Sequence, residues 1–182
     1  MPVVETRLIA SLQAENHNPT SYVKTPMKIK LIWIGKPDGD IFDEAIRYYA
    51  GRISAYFPYE MVAIPYLKNA KSMPVEEQKK REGELILKKI ESDEYVVLWD
   101  ERGKEKTSVQ FAEFIQQRAN SGLKTLTFVI GGAYGFSDAV YARQNAQLAL
   151  SKLTFPHIMV RLIFAEQLYR ACTILKGEPY HH

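Results

Sequence analysis

The chain predicts an α/β domain, a mostly parallel sheet flanked by helices, and three observations carry that reading. Short β-branched runs end at glycine, proline or a polar loop, as buried strands do. Longer stretches with apolar residues at helical spacing lie between them. The two alternate as βαβαβαβ, the order that builds parallel strands with helices on both faces. At 182 residues the chain fits a single core.

Residues 28–35 (KIKLIWIG) form the first predicted strand, closed by Gly35 and Pro37. Asp38 or Asp40 then caps a helix that carries Ile41, Ala45, Tyr48, Tyr49, Ile53 and Tyr56 and ends at Pro58. A second strand, 60–64, stops at Pro65. A basic loop follows, and Pro74 opens a helix in which acids lead and lysines trail, as the helix dipole favours. Lys68, Lys71, Lys79, Lys80, Arg81, Lys88 and Lys89 make this the densest group of cations, either a solvated face with i,i+4 pairs or a patch that meets RNA.

The third strand is 95–99 (YVVLW), with 100–104 (DERGK) as the polar loop at its end. Thr107 or Ser108 caps a helix to about Asn120, and 123–130 is the fourth strand. After Gly131-Gly132-Ala133-Tyr134-Gly135, Ser137 opens a short helix, and 147–151 reads as a weak fifth strand. Pro156 sits at the start of a last helix that Gly177 stops. That helix is apolar over too wide an arc for one-sided packing, so part of it is expected to meet a second subunit.

Composition excludes several classes. No segment reaches the roughly 20 unbroken apolar residues of a membrane span. Cys172 is the single cysteine, so there is neither an internal disulfide nor a cysteine-rich metal site, and a reducing cytoplasm fits. A net charge of +3 permits a nucleic-acid partner without requiring one. Residues 1–26 have no sustained period and lack a secretory pattern. They read as a leader, a cloning scar or the product of an upstream start, and the domain as 27–182.

The glycine motif does not read as a dinucleotide site. That fingerprint belongs to the first βα turn and needs an acid about 20 residues on for a ribose, whereas here it follows the fourth strand and no Asp or Glu occurs from Ala139 to Ala165. Glycines still let main-chain groups approach a flat ligand closely. Arg143, Lys152, His157 and Arg161 make the surroundings cationic, which suits a small ligand beside a polyanion. At the C-terminus, Tyr180-His181-His182 is a metal site, a purification scar or a tail that folds over the site.

Five motifs in order, LWDERGK, FVIGGAYG, LSKLTFPH, R-x-x-x-x-EQLYRA and the terminal PYHH, resemble the RlmH type (YbeA-like) of SPOUT-class methyltransferase. The resemblance covers 27–182. It implies an α/β knot fold with a C-terminal trefoil knot, a homodimer, and S-adenosylmethionine as donor for methylation of ring nitrogen N3 of a pseudouridine in 23S ribosomal RNA, on the assembled ribosome. The cofactor pocket it implies is formed by Leu98 and its following loop, Gly131, Gly132, and Leu150, Ser151, Lys152, Leu153, Thr154 and Phe155. Tyr180, His181 and His157 are the candidate bases or orienters. Arg161 and Arg170 would hold phosphate or neutralise the developing anion, with Glu166 as an arginine partner. A ribosome-binding factor without catalysis and a methyltransferase of the same class acting on tRNA are the alternatives.

Overall fold

A computed structural model of the protein describes residues 27–36 and 41–181. The elements run β1 (Lys28–Ile34), α1 (Asp43–Ile53), β2 (Tyr59–Ile64), α2 (Val75–Leu87), β3 (Tyr95–Glu105), α3 (Ser108–Asn120), β4 (Thr125–Ile130), α4 (Asp138–Arg143), β5 (Ala146–Ala149) and α5 (His157–Lys176). The five strands make one sheet in the order β2-β1-β4-β3-β5, parallel throughout. The fold expected from the sequence is therefore present. The strand order adds what it could not show, that β4 inserts between β1 and β3.

Two cores cover the sheet. On one face Leu31, Trp33, Phe128 and their neighbours pack with α1, α3 and α5; on the other Ile32, Leu98 and Val129 pack with α2 and α4. The helix that follows β3 thus lies on the opposite face from the helix that follows β4, although the two strands are neighbours. Chains that leave adjacent strands toward opposite faces open a crevice at the strands' carboxyl ends, where α/β sheets take their ligands.

Helix boundaries follow local chemistry. Thr107 caps α3 by accepting from Gln110 N (3.2 Å), and the Gln110 side chain accepts from Thr107 N (3.0 Å), a reciprocal capping box. Gly177 ends α5 at φ 67°, in the left-handed region that favours glycine. The N-cap of α1 is Phe42, which makes no side-chain cap; Asp38 and Asp40, the expected caps, lie outside the described residues. Asp43 and Glu44 in the first turn supply the favourable charge instead. Along α2, Lys79 pairs with Glu76 (3.2 Å) and Arg81 with Glu77 (2.6 Å), the solvated-face arrangement.

Several boundaries differ from the sequence reading by a few residues, and two of the differences shape the site. Strand β3 does not end at Trp99. Its ladder with β5 runs Val97, Leu98, Trp99 against Ala146, Gln147, Leu148, then resumes with Lys104 against Leu148 and Glu105 against Ala149. Residues 100–103 therefore form a bulge within a strand, not its terminal loop. Gly103 makes the return possible, because a Cβ there would overlap the Leu148 backbone. β5 ends at Ala149, so Leu150 and Ser151, expected in the strand, fall in the loop beyond it.

At the amino ends of the strands a buried polar group fastens the sheet. Lys30, 5% exposed, is paired with Glu94, 6% exposed, and donates to the Lys89 carbonyl (2.8 Å). The second Glu94 oxygen accepts from the Thr127 hydroxyl (2.6 Å). The group ties β1, β4 and the turn before β3 together. Breaking a buried pair from one side leaves a desolvated charge, which costs about 3–5 kcal/mol. Glu94→Ala is accordingly expected to lose stability of that order in urea denaturation; a loss below about 1 kcal/mol would show that the pair is not a fastening.

Candidate active site

A cavity of about 320 Å³ opens at the carboxyl ends of β3, β4 and β5, within the range of small-molecule sites. Trp99 and the bulge residues Asp100, Glu101 and Arg102 form one wall. The segment from Ile130 through Phe136 forms the floor, and Leu150, Ser151, Leu153, Thr154 and Phe155 form the opposite wall, with His157 and Val160 from the start of α5. Of the sequence-predicted pocket residues, Gly131, Gly132, Leu150, Ser151, Leu153, Thr154 and Phe155 come together here. Leu98 does not: its side chain is fully buried in the core against α2 and α4, and Trp99, next in the strand, stands in the wall. Lys152 is exposed between two lining residues.

The floor is a compact turn. Gly135, at φ 75°, donates from its N–H to the Gly132 carbonyl (3.1 Å). A Cβ on Gly131 would lie 3.1 Å from the Phe136 ring, and one on Gly132 would overlap the Glu82 carboxylate. Main chain is thus what the floor presents. A flat, partly polar ligand suits such a surface. Trp99 contributes to the wall from within β3. A backbone-lined floor beside aromatic residues fits a nucleoside-bearing cofactor.

Three residues of this neighbourhood escape the sequence reading, Trp99, Tyr141 and Glu82, whereas Asp100 belongs to the loop after Leu98 that the reading places in the pocket. The Tyr141 hydroxyl donates to Asp100 Oδ2 (2.7 Å), and Asp100 Oδ1 accepts from Arg102 N (2.8 Å), which fixes the bulge to α4. Burial, with the Asp100 hydrogen bond and charge adding to it, pushes the Tyr141 phenol up to about 12. The one available signal was the polar run after Trp99, whose side chains cannot be assigned to a wall without the β5 register.

The remaining candidates divide between two places. His157 lines the cavity, where burial and then the Arg161 charge hold its imidazole below the usual value. Arg161 itself is buried, lies over the Trp33 ring (5.2 Å) and donates to the Lys36 carbonyl (3.4 Å), so this chain does not present it to the cavity as an open phosphate ligand. Arg170 and Tyr180 stand elsewhere. Arg170 binds Glu166 through Nε (3.0 Å) and Nη2 (2.5 Å) and lies over the Tyr180 ring (4.8 Å). The Tyr180 hydroxyl also reaches Glu166 (3.2 Å), and its ring meets Tyr169 edge-on at 4.8 Å. Burial first, then hydrogen bonding to Tyr49 and the Glu166 charge, raise the Tyr180 pKa, which keeps the phenol protonated. His181 has a buried Nδ1 without a partner. From His157 to Arg170 is thirteen residues of one straight element, about 20 Å along its axis. Glu166, which the Tyr180 hydroxyl reaches, is six residues or about 9 Å along the axis from Val160 in the cavity lining.

Among the described residues, no group of three or more His, Cys, Asp and Glu is placed to hold a metal ion, and no helix is long and apolar enough to cross a membrane. His182 lies outside them.

Residues 27–181 match the family model described as "Predicted SPOUT methyltransferase". The chain is 53% identical over 156 residues to the ribosomal RNA large subunit methyltransferase H of Parabacteroides distasonis, covering 86% of this chain and 99% of the relative. The protein of the same name from Christiangramia forsetii is also 53% identical over the same shares. That from Trichlorobacter lovleyi is 48% identical over 86% of this chain and all of its own length.

A lowered pKa means that His157 is neutral at pH 7 and gains its proton only below the usual 6.5. An NMR titration of its ring is expected to show a midpoint under 6.5, with Arg161→Met moving it upward. A midpoint above 6.5 would mean that neither burial nor Arg161 acts as the structure indicates.

Proposed function

The chain belongs to the SPOUT methyltransferase family, and we propose that it transfers a methyl group from S-adenosylmethionine to ring nitrogen N3 of a pseudouridine in 23S ribosomal RNA, acting in the cytoplasm on the assembled ribosome. The observation that carries the reading is the main-chain floor of Gly131 and Gly132 at the ends of β3, β4 and β5. Gly131, Gly132, Trp99 and the wall from Leu150 through Phe155 would hold the cofactor. The bound cofactor supplies an electrophilic methyl group on a sulfonium.

The chain's own residues have two tasks, to hold the RNA base against the cavity and to receive the proton that N3 gives up. Positioning alone can account for much of the barrier reduction. The neutral imidazole of His157, in the cavity wall, is a competent proton acceptor. Tyr180, protonated and fixed by Glu166, acts as an orienting donor and not as a base. Arg170, held by the same carboxylate, offers charge to the RNA phosphate or to the ring anion as it forms.

In the single chain the tail folds back along α5 as far as Glu166, six residues or about 9 Å along the axis from Val160 in the cavity lining. A homodimer that sets one tail beside the partner's cavity would bring Tyr180 and Arg170 to the base. Leu153 (70% exposed) and Met159 (38% exposed) beside the cavity are apolar surface available to such a contact.

The test is to supply methyl-labelled S-adenosylmethionine with ribosomes, free ribosomal RNA or tRNA, digest, and identify the labelled nucleoside. Label in N3-methylated pseudouridine of 23S RNA from ribosomes is expected; label confined to tRNA would sink the reading. Tyr180→Phe is expected to lower kcat about tenfold, the value of one hydrogen bond to a charged group, with donor affinity within about twofold. Unchanged turnover would remove Tyr180 from the chemistry.

A further inference from the structure

A buried acid stands directly behind the cavity floor. Glu82, on α2, is 3% exposed. Its Oε1 accepts from Gln78 Nε2 (2.9 Å), while Oε2 is fully buried without a hydrogen-bond partner. That oxygen lies against Gly132, so near that a Cβ on the glycine would overlap it. The other face of Gly132 lines the cavity. Behind the same turn the Ser137 hydroxyl is also unpartnered, and it packs on Gly83 so closely that only a glycine fits there.

A carboxyl group kept only for packing would have both oxygens hydrogen-bonded, since buried polar groups almost always are. Here one oxygen is open and points at the backbone of a single residue without a side chain, beyond which a ligand would sit. If the ligand is a sulfonium, as the proposed function requires, a carboxylate there supplies the opposite charge at short range. We propose that Glu82 is a positioning residue that biases the cavity toward a sulfonium ligand over its neutral thioether, acting through the side-chain-free backbone of Gly132. This inference rests on the reading of the cavity as the S-adenosylmethionine site. Through partly buried surroundings, opposite unit charges separated by one residue's thickness change affinity by about 10- to 100-fold.

The expectation about protonation follows. Burial raises the Glu82 pKa and the Gln78 amide opposes that rise, while a cationic ligand beyond Gly132 would favour the carboxylate. The groups that face Glu82 are Gln78 on its own helix and the Gly132 backbone of the floor, and the Ser137 hydroxyl at the start of α4 packs on the adjacent Gly83. Asp100, Glu101, Arg102 and His157 line the cavity beyond and form the titrating background.

The test is calorimetric titration of the full chain with S-adenosylmethionine and with S-adenosylhomocysteine, which differ in the sulfonium charge. Glu82→Gln is expected to weaken the first about 10- to 100-fold more than the second. An equal loss for both ligands, or no loss for either, would overturn the proposal and leave the cofactor reading intact. A wild-type protein that binds neither ligand ends both. Should Glu82→Gln not fold, Glu82→Asp, which keeps the charge and withdraws it from Gly132 by one methylene, is titrated instead. A larger loss for S-adenosylmethionine than for S-adenosylhomocysteine is expected, and an equal loss or none overturns the proposal.

Discussion

The packing of Trp99 is the constraint on which the rest of the site depends. Its ring meets Phe111 of α3 at 5.6 Å, Phe128 of β4 at 6.2 Å and Phe164 of α5 at 5.2 Å, each edge to face. Such pairs add about 0.5–1.5 kcal/mol each beyond the area they bury. Trp99 is also part of the cavity wall. Beyond this fixed residue the chain leaves the β5 ladder. It bulges through Asp100 to Gly103 and rejoins the ladder only where Gly103 can pass over Leu148. The bulge is tied in turn to α4 by Tyr141. One core side chain thus sets where the wall stands, and the cavity needs no separate scaffold.

Much of the fold was legible because it rests on local chemistry. The apolar runs at β1, β3 and β4 and the cap at Thr107 are each decided within a few residues. What was not legible depends on register and on which element lies behind which. Leu98 and Trp99 are adjacent apolar residues, and only the pleat decides that the first enters the core against α2 and the second the cavity wall. Glu82 sits in VEEQKKREGELILKK, among acids such as Glu76 and Glu77 that pair with lysine or arginine on the solvated face, so a buried acid there resembles a surface acid. Arg161 follows His157 by one turn in a cationic stretch, yet the Trp33 ring holds it away from the cavity. The knot that the family resemblance implies is a property of threading, which no periodicity encodes. For the site, the loops came from motif order and the glycines; the carboxyl groups beside them required three dimensions.

Buried polar groups of the sheet fall into two kinds, and the difference bears on function. At the amino ends, Lys30, Glu94, Thr127 and the Lys89 carbonyl satisfy one another. Other buried polar atoms have no partner, among them Tyr59 Oη at the start of β2 and Glu82 Oε2, Trp99 Nε1 and Ser137 Oγ toward the carboxyl ends. Each costs about 1–3 kcal/mol. Of these, Glu82 Oε2 is the one placed against the glycine floor of the cavity, where a ligand can supply its partner. The paired group at Lys30 ties β1 to β4, and the turn at Gly131 and Gly132 follows β4 directly. Glu82 is consequently best understood together with the turn it backs, as a charge whose partner arrives with the ligand, and the sheet as the element that keeps that turn in place until it does.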